Sequence, residues 1–405
     1  MTATNETPAS PQKRGRPLEG VRVLDLSRVF AGPVAGRVLA DLGADVVKVE
    51  PPDGDISRNW GRQIAGLSSY FVQQNTGKRN VCIDLNHAEG PALVKELAKA
   101  ADIVIENFRP GVLAAFGIDW AGLSQVNARL IMVSISGFGQ NGPESGRAAY
   151  ASVAHAEMGL IARGPELGVP GLYDVTFSAA DVTSGLHGVI GVLAALHVRD
   201  LTGAGQHLDI AMLDAMGFSD DALPLALDGV AASGQNGEVW DTVGGLIVLA
   251  GGFRWVWTQL NRKSGLTDPA PRDADLDTKI RLRREAVGEF LTSQPDRPAL
   301  LDALDRANLA WGDVRSREEV FESPTLKARS SVVEIDDRAG GTRRVFQSPY
   351  RFSGSTSGVV GPPRHRGEDN VNVLMDWLAL SQADALACAE TGPMLSEAPT
   401  VPRIP

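Results

Sequence analysis

From Val21 onward the chain alternates short apolar runs with longer stretches in which apolar residues recur at helical spacing. The runs Val21–Leu26, Asp45–Glu50, Asn80–Leu85, Asp102–Asn107 and Leu130–Ser136 are brief and rich in Val and Ile, as strands are. Between them Gly32–Leu42 carries a helical pattern, and Leu93, Val94, Leu97 and Ala101 share one face of a second helix. This alternation predicts an α/β fold: a doubly wound parallel sheet with helices on both faces. Ligands of such sheets gather at the carboxyl ends of the strands, which directs attention to the loops after Leu26, Glu50, Leu85, Glu106 and Ser136.

One helix stands apart by composition. In Val182–Val198 the residues Leu186, Val189, Ile190, Leu193 and His197 fall at helical spacing, and nearly everything between them is Gly, Ala or apolar. That pattern predicts a helix buried most of the way round, with Gly185, Gly188 and Gly191 marking places where another backbone comes close. Asp181 stands at the mouth of this helix, where free N–H groups and the helix dipole favour a carboxylate. It reads either as an N-cap or as a reactive group.

The chain changes character near Leu223–Gly237, which is rich in Ala and Gly and reads as a lobe boundary. A strand pair around Val239–Val248 follows, then helices over Phe253–Gly265, Thr278–Ser293 and Pro298–Leu309, and a last helix over Val371–Leu380. The expected organisation is a disordered tail over residues 1–19, the first part of a large domain over 20–222, a smaller α+β domain over 223–330, and a return to the large domain over 331–405. Within the tail Lys13-Arg14-Gly15-Arg16-Pro17 resembles an AT-hook, although a solvated basic arm fits the same residues.

Composition narrows the chemistry. Among 405 residues, 39 basic against 49 acidic side chains give a net charge of −10, which argues against general binding to nucleic acid or anionic membranes. Only Cys82 and Cys388 occur, without metal-ligand spacing or a disulfide framework, and no resident metal or cofactor is expected. The N-terminal residues lack a secretory apolar core, and no stretch reaches the ~18 consecutive apolar residues of a membrane span. A cytoplasmic setting is expected. Gly137-Phe-Gly139-Gln-Asn-Gly142 matches a dinucleotide fingerprint, but Pro143-Glu-Ser-Gly follows where the pyrophosphate needs a helix, so a glycine loop at a strand end is the better reading.

An ordered set of stretches resembles the class III CoA-transferase family, which includes formyl-CoA transferase, carnitine CoA-transferases and alpha-methylacyl-CoA racemase. The stretches are Val21-Arg-Val-Leu-Asp-Leu with Ala31-Gly-Pro33, Leu42-Gly-Ala-Asp-Val-Val-Lys-Val-Glu50, Asn75-Thr-Gly-Lys-Arg79, Glu106-Asn-Phe-Arg-Pro-Gly111 and Ser136-Gly-Phe-Gly-Gln-Asn-Gly-Pro143. Asp181, Thr202-Gly-Ala-Gly-Gln206, Asp209-Ile-Ala-Met-Leu-Asp214 and Arg366-Gly-Glu-Asp-Asn370 complete it. The resemblance implies an interlocked homodimer of two-lobed subunits that moves CoA from an acyl-CoA to a carboxylic acid. It implies that Asp181 is the nucleophile and passes through mixed anhydride and aspartyl-CoA thioester intermediates. For CoA, a substrate rather than a bound cofactor, it points to Val29, Phe30 and Ala31, to Lys78, Arg79 and Ile83, to Asn107, Phe108 and Arg109, and to the vicinity of Arg147.

Departures from the family bear on the alternatives. Tyr150 stands where the racemase branch has its histidine, and a phenol with a pKa near ~10 is a poor base at neutral pH, which disfavours a 2-methylacyl-CoA racemase. Ala151 replaces a frequent acidic residue. Phe30 and Pro51 stand where formyl-CoA transferase has glutamine and arginine, which argues against oxalate as acceptor. His155 and His187 read as packed histidines rather than bases. Trp240, Trp255 and Trp257 either line an acyl pocket or fill the core of the middle lobe. A non-catalytic CoA- or DNA-associated protein is the alternative from outside the enzymes.

Overall fold

Strands that are apolar on both faces must be covered on both, and that requirement organises the large part of the chain. The structure is a computed structural model that describes residues 15–166, 171–230 and 237–396. Six strands form one sheet: β1 (Arg22–Asp25), β2 (Asp45–Glu50), β3 (Arg79–Cys82), β4 (Ile103–Glu106), β5 (Ile131–Ser136) and β6 (Gln206–Ala211). Their order is β3-β2-β1-β4-β5-β6, and every neighbouring pair is parallel. The sequence predicts the first five strands. It does not predict β6, an edge strand of mixed polarity with mostly half-buried side chains and no apolar run to announce it.

Helices on the two faces divide the core by strand alternation. Val23, Ile105, Val133 and Ile135 face one way, onto α1 (Ala31–Asp41) and α5 (Ala179–Thr202). Leu24, Val47, Val104 and Met132 face the other way, onto α3 (Gly90–Ala100) and a C-terminal helix, Asn370–Leu378. Three shorter helices belong to the same unit: α2 (Ser69–Asn75), α4 (Ala151–Glu157) and α6 (Met212–Ser219). The winding of the sheet reverses between β1 and β4, so the loops leaving these neighbours diverge and open a crevice at their carboxyl ends.

Helix α5 departs from its expected form in two ways. It starts at Ala179, so Asp181 is its third residue and not its N-cap; that place belongs to Ser178, whose side chain makes no capping bond. Nor is it buried all round, because Leu186, Ile190, Leu193 and Leu201 are exposed. Its length of 24 residues and mean hydropathy of 1.5 match a membrane span in composition, yet its small-residue face lies on α1 and the sheet. Of the three glycines only Gly185 admits another backbone: a Cβ there would stand 2.6 Å from the Ala31 carbonyl oxygen, whereas Gly188 and Gly191 face side chains of β5 and β6.

The chain divides into two compact units, one of Met1–Gly164, Gly171–Asp220 and Ala328–Pro405, the other of Pro165–Pro170 and Asp221–Lys327. The second unit is an antiparallel sheet of Gly237–Thr242, Gly245–Ala250 and Trp311–Asp313 packed on helices Phe253–Lys263, Leu276–Thr292 and Arg297–Arg306. Trp257 belongs to its core and Trp240 stacks on Phe253, while Trp255 is exposed. Lys13 and Arg14 of the basic arm, and residues 231–236 of the Ala- and Gly-rich boundary, lie outside the described residues, while the boundary begins as a short helix, Leu223–Leu227. Arg16 donates to the Gly358 carbonyl at 3.0 Å, and Leu18 is buried in the large unit.

The Gly185 contact predicts that Gly185→Ala forces α5 away from α1. The expected loss is about 1–3 kcal/mol in stability, the range of core overpacking, read from chemical denaturation. A neutral substitution would mean that the two helices are free to separate.

Candidate active site

The site begins where β1 ends. Between Asp25 and α1 the chain turns through Ser27, Arg28, Val29 and Phe30, and most polar backbone atoms of the turn have a partner. Ser27 gives its N–H to Asp25 at 3.0 Å, and its carbonyl accepts from the Lys48 ammonium at 2.7 Å. Asn107, at the end of β4, brackets Arg28 by accepting its N–H and donating to its carbonyl, both at 2.8 Å. The Val29 N–H points to the Asp55 carboxylate, 3.1 and 3.3 Å from its two oxygens.

Beneath the turn lie six buried charges that sum to zero: Asp25, Glu50 and Asp55 with Lys48, Lys78 and Arg58. Lys48 pairs with Asp55 at 3.0 Å, Lys78 with Asp25 at 2.8 Å and Arg58 with Glu50 at 2.6 Å. Burial opposes the charge on Asp55, but Lys48 and the Ser57 N–H and hydroxyl hold its carboxyl down to about 2. Burial likewise opposes the charge on Lys48, yet the facing Asp55, Asp25 and Glu50 raise it above its ordinary value.

Asp181 meets this turn from the other side. Its partly buried carboxyl faces the backbone N–H of Ala31, the first residue of α1. Burial pushes it up to about 6, offset in part by His155 and the Ala31 N–H. His155 on α4 is 1% exposed. Its Nε2 accepts the Ala180 N–H at 3.2 Å and its Nδ1 lies 2.6 Å from the Asp174 carboxylate, so the proton belongs on Nδ1. The ring thus fixes the first turn of α5, where Asp181 stands. Beside the carboxylate Phe30, Tyr70 and Trp60 form an aromatic row with ring centroids 5.5 and 5.0 Å apart. Burial, and then the Asp181 and Asp55 charges, push the Tyr70 phenol up to about 12, so it stays a neutral hydrogen-bond donor.

A cavity of about 310 Å³ opens at the carboxyl ends of β1 to β4, lined by Leu26, Arg28, Ile83, Phe108, Leu113 and Phe116 among others. The Arg28 guanidinium lies over the Phe108 ring, 5.5 Å from its centroid. Val29, Phe30, Ala31, Ile83, Asn107 and Phe108 therefore share one neighbourhood. Arg109 is exposed in the loop beyond β4. The other expected contacts are engaged elsewhere. Lys78 is buried, and its ammonium donates to Asp25, the Pro33 carbonyl and Asn75. Arg79 starts β3 and pairs with Asp45 and Asp376, while Arg147 lies over Phe138 between Glu144 and Glu157. Tyr150 is exposed at the start of α4. In the glycine loop the Gln140 N–H already donates to the Asp209 carboxylate, the reverse of a phosphate cradle.

Arg28, Lys48, Asp55, Trp60 and Tyr70 are site residues that sequence reasoning misses. Only Arg28 carries a signal, its place in the first strand-end loop; the others come into range through the fold.

The chain matches CoA-transferase family III over residues 18–370. It is 32% identical to a succinate–glutarate CoA-transferase of Agrobacterium fabrum over 90% of this chain and 96% of that protein. It is 31% identical to a succinyl-CoA–D-citramalate CoA-transferase of Chloroflexus aurantiacus over 93% and 97%. The crystal structure of a CaiB/BaiF family protein from Brucella suis superposes with a TM-score of 0.76 at 30% identity, covering 90% of this chain and all of that one (100%). With this match along nearly the whole sheet-forming chain, the protein belongs to the class III CoA-transferases.

Proposed function

We propose that the protein carries CoA between carboxylic acids with Asp181 as the nucleophile, in the cytoplasm and as a homodimer. The observation that carries this reading is the Asp181 carboxylate: half-buried, facing a backbone N–H, flanked by an aromatic row and raised to about 6, so that it is ionised at neutral pH yet poorly solvated. Asp181 attacks the thioester carbonyl of the donor; the C–S bond breaks, giving an acyl-aspartyl anhydride and CoA thiolate. The thiolate attacks the aspartyl carbonyl, releasing the donor acid as its carboxylate and leaving an Asp181–CoA thioester. The acceptor carboxylate displaces the thiolate to form a second anhydride. Thiolate then attacks the acceptor's acyl carbon, and Asp181 leaves as a free carboxylate. Each anhydride is hydrolysable, which gives the aromatic row a use as a barrier to water.

The Agrobacterium and Chloroflexus relatives are named for succinate, glutarate and D-citramalate, and we assign the same class, short dicarboxylic acids, to this chain. For CoA the crevice supplies a cation on an aromatic platform, Arg28 over Phe108, beside Ile83, with Val29, Phe30, Ala31, Asn107 and Arg109 along its approach. The racemase alternative needs a second base at the site. His155 has both ring nitrogens engaged, which favours the transferase. For the homodimer the support is an apolar stripe on α5 and α6, Leu186, Ile190, Leu193, Leu201 and Phe218, that a second copy would cover.

Incubation with succinyl-CoA and hydroxylamine is expected to leave a hydroxamate on the peptide holding Asp181, absent in Asp181→Ala, with labelling that fades as pH falls through about 6 and protonates the nucleophile. Labelling elsewhere, or none with any dicarboxylyl-CoA, would refute the route. In sedimentation the protein is expected at twice its chain mass and Ile190→Glu at the chain mass; a monomeric parent would refute the dimer.

A further inference from the structure

Val29 has φ +68°, in the left-handed region. A β-branched residue there crowds its own carbonyl, and such strain persists only where the surroundings over-determine it. Val29 is not buried and packs no core, so the strain is not the by-product of a packing need. Its N–H is taken by the Asp55 carboxylate, which is itself gripped by Lys48 and by the Ser57 N–H and hydroxyl. Ion pairs buried this deeply add little stability over an apolar filling; where they are retained, fixing one conformation is a role they can serve. The conformation in question ends at Ala31, two residues on, whose N–H meets Asp181.

We propose that Asp55, backed by Lys48, is a positioning residue for Asp181: by holding the Val29 N–H it keeps the 27–31 turn in the strained form that aims the Ala31 N–H at the Asp181 carboxylate. The transferase reading gives that carboxylate its task, but the mechanical claim stands apart from it. The other groups that face Asp181 are His155 from α4 and Tyr70 from α2; neither is hydrogen-bonded to Asp55, although the Asp55 charge acts on the Tyr70 phenol. If the turn relaxes, the Ala31 N–H moves away from Asp181 while the two rings keep their places.

Asp55→Asn tests this with little change of shape. Oδ2 of Asp55 faces Lys48 and, at 3.1 Å, the Val29 N–H; Oδ1 takes the Ser57 N–H and hydroxyl and lies 3.3 Å from the Val29 N–H. An amide must turn its NH2 toward one of these donor pairs, so the grip loosens in either orientation. The readout is the Asp181 carboxyl titration, followed by carbon-13 NMR of aspartate-labelled protein with Asp181→Asn to identify the signal, alongside kcat and KM for succinyl-CoA. The Asp181 pKa is expected to rise above its value of about 6. Along with it kcat falls roughly 10- to 100-fold, with a smaller change in KM, as for a weakened preorganised donor. An unmoved Asp181 titration in folded Asp55→Asn would overturn the proposal, whatever happens to activity. Ser57→Ala takes the hydroxyl donor off the Asp55 carboxylate, leaves the turn's own residues untouched, and gives a smaller shift in the same direction if Asp55→Asn does not fold. A shifted titration in a protein that transfers no CoA would keep this proposal and sink the transferase reading; an unshifted one in an active transferase would do the reverse.

Discussion

A missing side chain at one position brings the two halves of the site together. Gly185 lets α5 press against the first turn of α1 until the Ala31 carbonyl occupies the space of a Cβ. One helical turn earlier on α5 stands Asp181, and the N–H of Ala31 is what it meets. Any other residue at 185 would hold the helices apart and move the carboxylate away from the Ala31 N–H. Packing at one glycine and chemistry at one aspartate are therefore a single constraint, and α5 could not be moved for the sake of one without altering the other.

The same economy governs the turn after β1. Six charges are buried beneath it, an arrangement that is costly unless each is paired and the sum is neutral. Their partners are not only each other. Asp25 and Lys48 hold Ser27, Asp55 holds Val29, and Asn107 holds Arg28 across the gap between β1 and β4. The turn crosses the point where the sheet reverses its winding, so a loop that would be free in most proteins is anchored from below and from the side. A carboxylate that has to stay aligned with a bound substrate is well served by such an anchor.

Much of this is legible in the sequence, and what is not has identifiable reasons. The first five strands announce themselves as apolar runs because they are covered on both faces. The edge strand β6 has no such run, since most of its side chains are only half-buried and polar residues alternate among them. Asp181 stands out in the sequence as a helix-start carboxylate, but its partner is a backbone group of another helix, which no local pattern encodes. Lys78 and Arg79 look like free cations before a strand; tertiary structure commits both to carboxylates far along the chain. Lys48 and Asp55 are invisible because a charged residue in a strand or a loop gives no sign that it will be buried. The exposed stripe on α5 misleads in the opposite direction, since an apolar helix looks the same whether it is covered by its own chain or by another.

The most direct test follows oxygen. With succinyl-CoA as donor and a dicarboxylic acceptor carrying oxygen-18 in its carboxylates, the two anhydrides require one labelled oxygen to pass to Asp181 and, on the next turnover, into the released succinate. Mass spectrometry of the Asp181 peptide and of the succinate is predicted to find that label in both. Label confined to the acceptor's own product, with an unlabelled Asp181 and unlabelled succinate, would contradict the central claim that Asp181 carries the acyl group.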